Sequence, residues 1–256
     1  MSFKGDLLIH INEYTNLQVH YLHPDTGIAG YRAYKVPYYM SKIIGNYIGG
    51  KCTPGEIGSY IRAQNINWVN NTPSSYELKP SATIQTQMKT ETHIIGTGVD
   101  CSGFAYYVLN EASKSTTYPN GALKPVFNNV SYANGISAAS LCDTAKGTLI
   151  TKAQDVKVGC TIYLTGHVMV VYDVVKDING NVTQIKYAHS QRHFLNSDVV
   201  TDLANSGPNK GYITVGNKDN NLNDDAQIWN DINDLGKYLK KIYIHTTLLN
   251  CISSLV

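Results

Sequence analysis

The sequence predicts an α+β fold on three observations. Residues 101–112 carry helical spacing, the segments after Gly159 read as strands, and helices precede strands along the chain. The first 90 residues read as helical and irregular. A short helix is expected over 38–47, ending near Gly49-Gly50. Thr53-Pro54-Gly55-Glu56 supplies an N-cap, a proline at the first helical position and a capping-box glutamate, so a helix over 54–64 follows. Residues 67–81 are a loop by composition. Apolar side chains then recur at Phe104, Tyr107, Val108 and Ala112, with Ala105 and Leu109 beside them. That helix has Asp100 as its N-cap and Cys101 in its first turn. Residues 119–148 hold turn signals at Asn120-Gly121 and Asn134-Gly135 and no strong period. Strands are expected over 160–164, 167–176, 182–189, 211–215 and 238–246, with a long Asn/Asp-rich loop over 217–234. No linker composition interrupts the chain. Residues 1–90 therefore read as an extension packed on a core formed by 91–256.

With 256 residues, 43% apolar and 16% charged, the chain has the composition of a folded domain with a substantial core. Its net charge of +2 is spread without a basic stripe, which argues against nucleic acid as a partner. No apolar run approaches the roughly 18 residues of a membrane helix, so no transmembrane segment is expected. The first ten residues hold too short an apolar stretch for a secretory signal, and no small-residue cleavage site follows. The five cysteines (Cys52, Cys101, Cys142, Cys160 and Cys251) are widely spaced and form no CxxC pair. That excludes a zinc ribbon and a full disulfide framework, leaving one bridge such as Cys142 to Cys160 open.

Cys101 stands where chemistry favours a thiolate. The first turn of a helix presents unpaired N–H groups and the positive end of the helix dipole. The same N–H groups suit the oxyanion of a tetrahedral intermediate, and small neighbours, Ser102 and Gly103, leave room for a substrate. The plainer reading is a buried structural cysteine.

Two histidines bear on the choice. Gly166-His167-Val168-Met169-Val170 opens one strand and Tyr187-Ala188-His189-Ser190 closes the next, with a turn signal at Asn179-Gly180 between them. A hairpin folded about Asn179 pairs Met169 with His189 and His167 with Gln191, making the histidines diagonal neighbours on one face. This requires an odd loop of three or five residues, or a bulge; a strict two-residue turn sends His189 to the other face. His167 is then the general base for the Cys101 thiol, and His189 orients the imidazole.

These segments resemble the NlpC-type family of papain-like cell-wall cysteine peptidases. Val99-Asp100-Cys101-Ser102-Gly103-Phe104 is similar to the family's nucleophile motif, Gly166-His167-Val168-Met169-Val170 to its Gly-His-Val strand, and Ala188-His189-Ser190 to its third motif. Ala153 to Cys160 resembles the family's lead-in to the strand. The spacings, 66 residues from Cys101 to His167 and 22 more to His189, are in keeping. The chain departs from the pattern at Cys160, where the family has Asp, at Met169, where it has a small residue, and in a longer insertion after Cys101. The resemblance implies a nucleophile helix packed on a small antiparallel sheet, no cofactor, and hydrolysis of amide bonds in peptidoglycan stem peptides or another small peptide or amide. It also implies a substrate-side position for Asp100 and Ser102, with Gly166 beside them; Asp100 has the helix-cap role as well.

Other signals are weaker. The alternation over 219–225 lacks the glycine and the glutamate of a calcium loop and reads as a solvated loop. His20-x-x-His23 and His189-x-x-x-His193 lack partners for a metal, and no metal is expected. His193 is an alternative third triad member. Tyr60 and Tyr76 are candidates to line a cleft.

Overall fold

The computed structural model describes residues 2–22, 29–34, 36, 38, 50–63, 98–115, 117–127, 136–164, 166–191, 194–195, 200–201, 207–230 and 245–249. The expected helix over 38–47 (Tyr38 apart), the loop over 67–81, and His23, Tyr76, His193 and Cys251 lie outside them.

The described residues form a mixed helix-and-sheet fold. The longer helices among the described residues precede the sheet: α1 (Phe3–Thr15), α2 (Pro54–Ala63) and α3 (Cys101–Ala112). Each start is fixed by a side chain. Ser2 Oγ accepts from Gly5 N at 3.2 Å above α1. Thr53 and Glu56 exchange bonds of 2.7 and 3.2 Å at α2, the capping box its sequence predicts. Asp100 Oδ1 accepts from Gly103 N at 2.7 Å at α3. Two single turns, α4 (Leu123–Val126) and α5 (Ala138–Leu141), occupy the stretch where the sequence shows no period.

The strands are β1 (Leu17–Leu22), β2 (Ala29–Tyr34), β3 (Gly147–Ile150), β4 (Thr161–Leu164), β5 (His167–Lys176), β6 (Val182–Gln191), β7 (Phe194–Leu195), β8 (Val200–Thr201), β9 (Gly207–Val215), β10 (Gln227–Asn230) and β11 (His245–Leu249). Seven of them make one antiparallel sheet in the order β10-β9-β6-β5-β4-β11-β3. β1 pairs with β2, and β7 with β8, as separate antiparallel ribbons.

Two expectations are corrected. The N-terminal 90 residues hold a β-hairpin, β1–β2, as well as helices. Its signal is the alternation Leu17, Val19, Tyr21, of which Leu17 and Val19 are buried. The loop expected over 217–234 ends early, because Gln227–Asn230 pairs with Val215–Tyr212 of β9. Four residues are too short for a periodic signal, and the pairing partner decides. The bridge left open between Cys142 and Cys160 does not form. Cys142 Sγ donates to Thr161 Oγ1 at 3.3 Å and Cys160 Sγ accepts from Lys157 N at 3.3 Å.

The sheet separates two apolar clusters. On one face Val168, Val170 and Ala188 pack with Phe104, Ala105, Val108 and Leu109 of α3 and with Leu7, Ile11 and Tyr14 of α1. On the other, Met169, Val171, Ile185 and Tyr187 pack with Cys160, Ile213 and Leu222. Alternate strand residues thus feed opposite cores, the period-two rule applied to a sheet covered on both sides. Among the described residues no helix is long and apolar enough to cross a membrane.

Candidate functional site

The site lies where α3 begins and where β5 and β6 part. The β5–β6 hairpin closes through five residues, Asp177 to Asn181, between the paired Lys176 and Val182. The Asp177 carboxylate holds this loop, accepting from Asn179 N at 2.9 Å and from Asn181 N at 2.8 Å. Two register shifts follow, one at Tyr172 on β5 and one at Thr183 on β6. They cancel, so Val170 faces Ala188 and Val171 faces Tyr187. Beyond Val170–Ala188 the β5–β6 ladder ends, although both strands run on to His167 and Gln191.

The chain before α3 touches both strand ends there. Ser190 Oγ donates to Val99 O at 2.7 Å, and Cys101 Sγ donates to Gly166 O at 3.9 Å. Gly166 makes the turn into β5 at φ 79°, a backbone region that glycine takes without strain. Across the opening, His167 Nε2 and His189 Nδ1 are 2.8 Å apart, with ring centroids at 5.1 Å. His167 thus uses its Nε2 on His189. His189 is fully buried, its ring 5.5 Å from that of Tyr187, which also meets Trp229 at 5.7 Å. Gly211 leaves space for that tyrosine, since a Cβ there would meet Tyr187 Oη at 2.6 Å.

The thiol and both imidazoles are held in their neutral forms. Burial, and then the neighbouring Asp100 carboxylate, push the Cys101 thiol up to about 11 against the pull of the Val168 N–H, the Lys51 ammonium and the Ser102 N–H. Burial, with His189 adding to it, holds the His167 imidazole well below its ordinary value. Burial pushes His189 down to about 3. The structure thus pairs a neutral thiol with two neutral imidazoles, and the thiol bonds to the Gly166 carbonyl; no hydrogen bond joins it to His167.

The structure bonds His167 to His189 and sets Cys101 against the Gly166 carbonyl, one residue from His167; the thiol lies in the cluster with Val168 and Val170, whereas the His189 ring meets Tyr187 of the opposite face. Asp100 and Ser102 are adjacent but engaged. Lys51, a residue without any signal in the sequence beyond its Gly-Gly neighbours, is 7% exposed. Its ammonium lies 2.6 and 2.5 Å from the two Asp100 oxygens and 2.5 Å from Ser102 Oγ. Ser102 Oγ donates to Ile136 O at 3.1 Å. Gln191, on the same β6 face as His189, is also buried, and among the described residues its side-chain nitrogen has no hydrogen-bond partner. Among the described residues no group of three or more His, Cys, Asp or Glu gathers as a metal site requires.

Comparison of the chain with protein-family models, with curated proteins and with solved structures finds no match.

Proposed function

We propose that the chain is a papain-like cysteine hydrolase of NlpC type that cleaves amide bonds in peptidoglycan stem peptides, between a γ-D-glutamyl residue and a diamino acid. The observation that carries the reading is the convergence at the head of α3. Cys101 occupies the first helical position and contacts the carbonyl of the residue preceding His167, whose ring is bonded to His189 at 2.8 Å. In this reading a bound substrate brings the thiol and His167 Nδ1 together. His167 takes the proton, and the sulfur attacks the amide carbonyl. N–H groups of the first turn of α3 face the oxyanion. The tetrahedral intermediate collapses to a thioester, and the amine leaves with the proton from His167. Water activated by the same imidazole then releases the acid. His189 fixes the tautomer throughout. Asp100, Ser102 and Gly166 line the substrate side through the backbone they hold in place. The action belongs to a cell wall or extracellular setting.

A second reading has its own support. The thiol is held protonated and donates to Gly166 O, which favours a silent binding module on the same scaffold, or an amidase or acyltransferase whose own substrate must trigger the thiol. Mass spectrometry of muropeptides incubated with wild-type protein and with Cys101→Ala separates these. Cleavage by the wild type alone is expected and identifies the bond. Folded wild-type protein that leaves muropeptides intact would overturn the cell-wall assignment, and a Cys101 that also resists alkylation would favour the module.

A further inference from the structure

We propose that Lys51 is a positioning residue of this site: its ammonium neutralises Asp100, so the carboxylate caps the nucleophile helix without leaving an uncompensated negative charge beside the Cys101 sulfur. The inference rests on the reading of Cys101 as the reactive thiol.

An aspartate is a good cap and a poor neighbour for a thiolate. Its oxygen accepts the Gly103 N–H at 2.7 Å, which secures α3, but its charge opposes a second negative charge one residue away. A serine or asparagine would cap without that opposition. Here the opposition is met by a buried cation placed at 2.5 to 2.6 Å from both carboxylate oxygens. The backbone delivers it. Lys51 forms a bridge with Val99, Asp100 N donates to Gly50 O at 2.7 Å, and Cys52 N donates to Gly98 O at 3.3 Å. Gly103 allows this approach, because a Cβ there would stand 2.5 Å from Gly50 O. The charged groups acting on Cys101 are thus Asp100 at the cap of its own helix and Lys51 from the bridge; from β5 the thiol meets the Gly166 carbonyl, next to His167, which bonds to His189 of β6. Asp100 and Lys51 pull the thiol in opposite directions, and both histidines are held neutral.

The test is the rate of Cys101 alkylation by iodoacetamide between pH 7 and 9, localised by peptide mass spectrometry because other cysteines are present. Below the thiol's pKa this rate follows the thiolate fraction, roughly tenfold per unit of pKa. Lys51→Met is expected to slow alkylation several-fold at fixed pH. Asp100→Asn, which keeps a cap, is expected to speed it several-fold. The double variant should return close to the wild-type rate. A merely structural brace would move both single variants the same way, and that result, or two unchanged rates, overturns the proposal. If Lys51→Met does not fold, Asp100→Asn and the double variant still decide, since an Asp100→Asn rate at or below wild type refutes it. The assay needs no substrate. Intact muropeptides alongside opposite-signed alkylation shifts would reject the cell-wall reading and leave the role of Lys51 standing.

Discussion

His167, half-buried, and His189, fully buried, are held as neutral imidazoles, and that has a consequence for stability that does not depend on any substrate. In the unfolded chain each takes up a proton near pH 6.5; in the folded chain burial holds His189 down to about 3 and His167 well below its ordinary value. Between those limits the unfolded chain binds more protons, so stability is fully present above about pH 6.5 and is lost as pH falls toward 3. Cys101 acts in the opposite range. Its thiol is raised from 9.0 to about 11, so the unfolded chain loses its proton first and stability falls as pH climbs through that interval. The melting temperature should therefore decline on both sides of a neutral plateau. His189→Gln is expected to lower it at pH 7, by breaking the bond to His167, and to flatten the acid decline. Parallel acid limbs for wild type and variant would show that His189 does not titrate as its burial requires.

At the scale of elements, the constraint nearest the thiol is the crossing of the Gly50–Lys51 backbone over the first turn of α3. Gly103→Ala places a methyl 2.5 Å from Gly50 O and 3.0 Å from the Lys51 Cα, both backbone atoms that cannot rotate away. We expect about 1–3 kcal/mol of destabilisation from this overpacking, read as a lower urea midpoint with unchanged slope. An unchanged midpoint would mean that the bridge between Lys51 and Val99 yields freely. This contact also marks where the sequence stops being legible. Local rules found what is local: the Thr53–Glu56 capping box, the Asp100 cap, and a β5–β6 hairpin whose odd loop keeps Val170 opposite Ala188. The two compensating bulges were invisible, but they leave that register intact. Lys51 was illegible because 49 residues separate it from Asp100 and nothing near it announces a partner. β10 was missed because a four-residue edge strand exists through its neighbour, not through its own pattern. The order in which β11 inserts between β4 and β3 is likewise a long-range pairing with no local signature.

The whole molecule binds its N-terminal helix into the structure that carries the thiol. Leu7, Ile11 and Tyr14 are all at or below 1% exposure and share a cluster with Phe104 and Val108 of α3. The Tyr14 ring lies 5.3 Å from Phe104, and its hydroxyl donates to Cys52 O at 2.8 Å, one residue from Lys51. Polar contacts run the same way. Lys4 pairs with Asp173 of β5, which also holds Lys186 of β6 at 3.1 Å, and Lys210 of β9 donates to Asn12 at 2.8 Å. α1 thus covers α3 and reaches across three strands, so its removal would strip one face of the core rather than detach an appendage. Ile11→Ala should cost about 2–5 kcal/mol through lost burial and a residual cavity. The loss should appear as one cooperative transition, with circular dichroism and tryptophan fluorescence coinciding in a Trp68→Phe background, because the remaining Trp229 packs in the cluster on the far face of the sheet. Two separated transitions, with the fluorescence midpoint unmoved by the substitution, would show that the clusters unfold independently and that α1 supports only its own side. A single shifted transition would mean that the strands bearing His167 and His189 and the helix bearing Cys101 stand or fall together, as a site assembled from both requires.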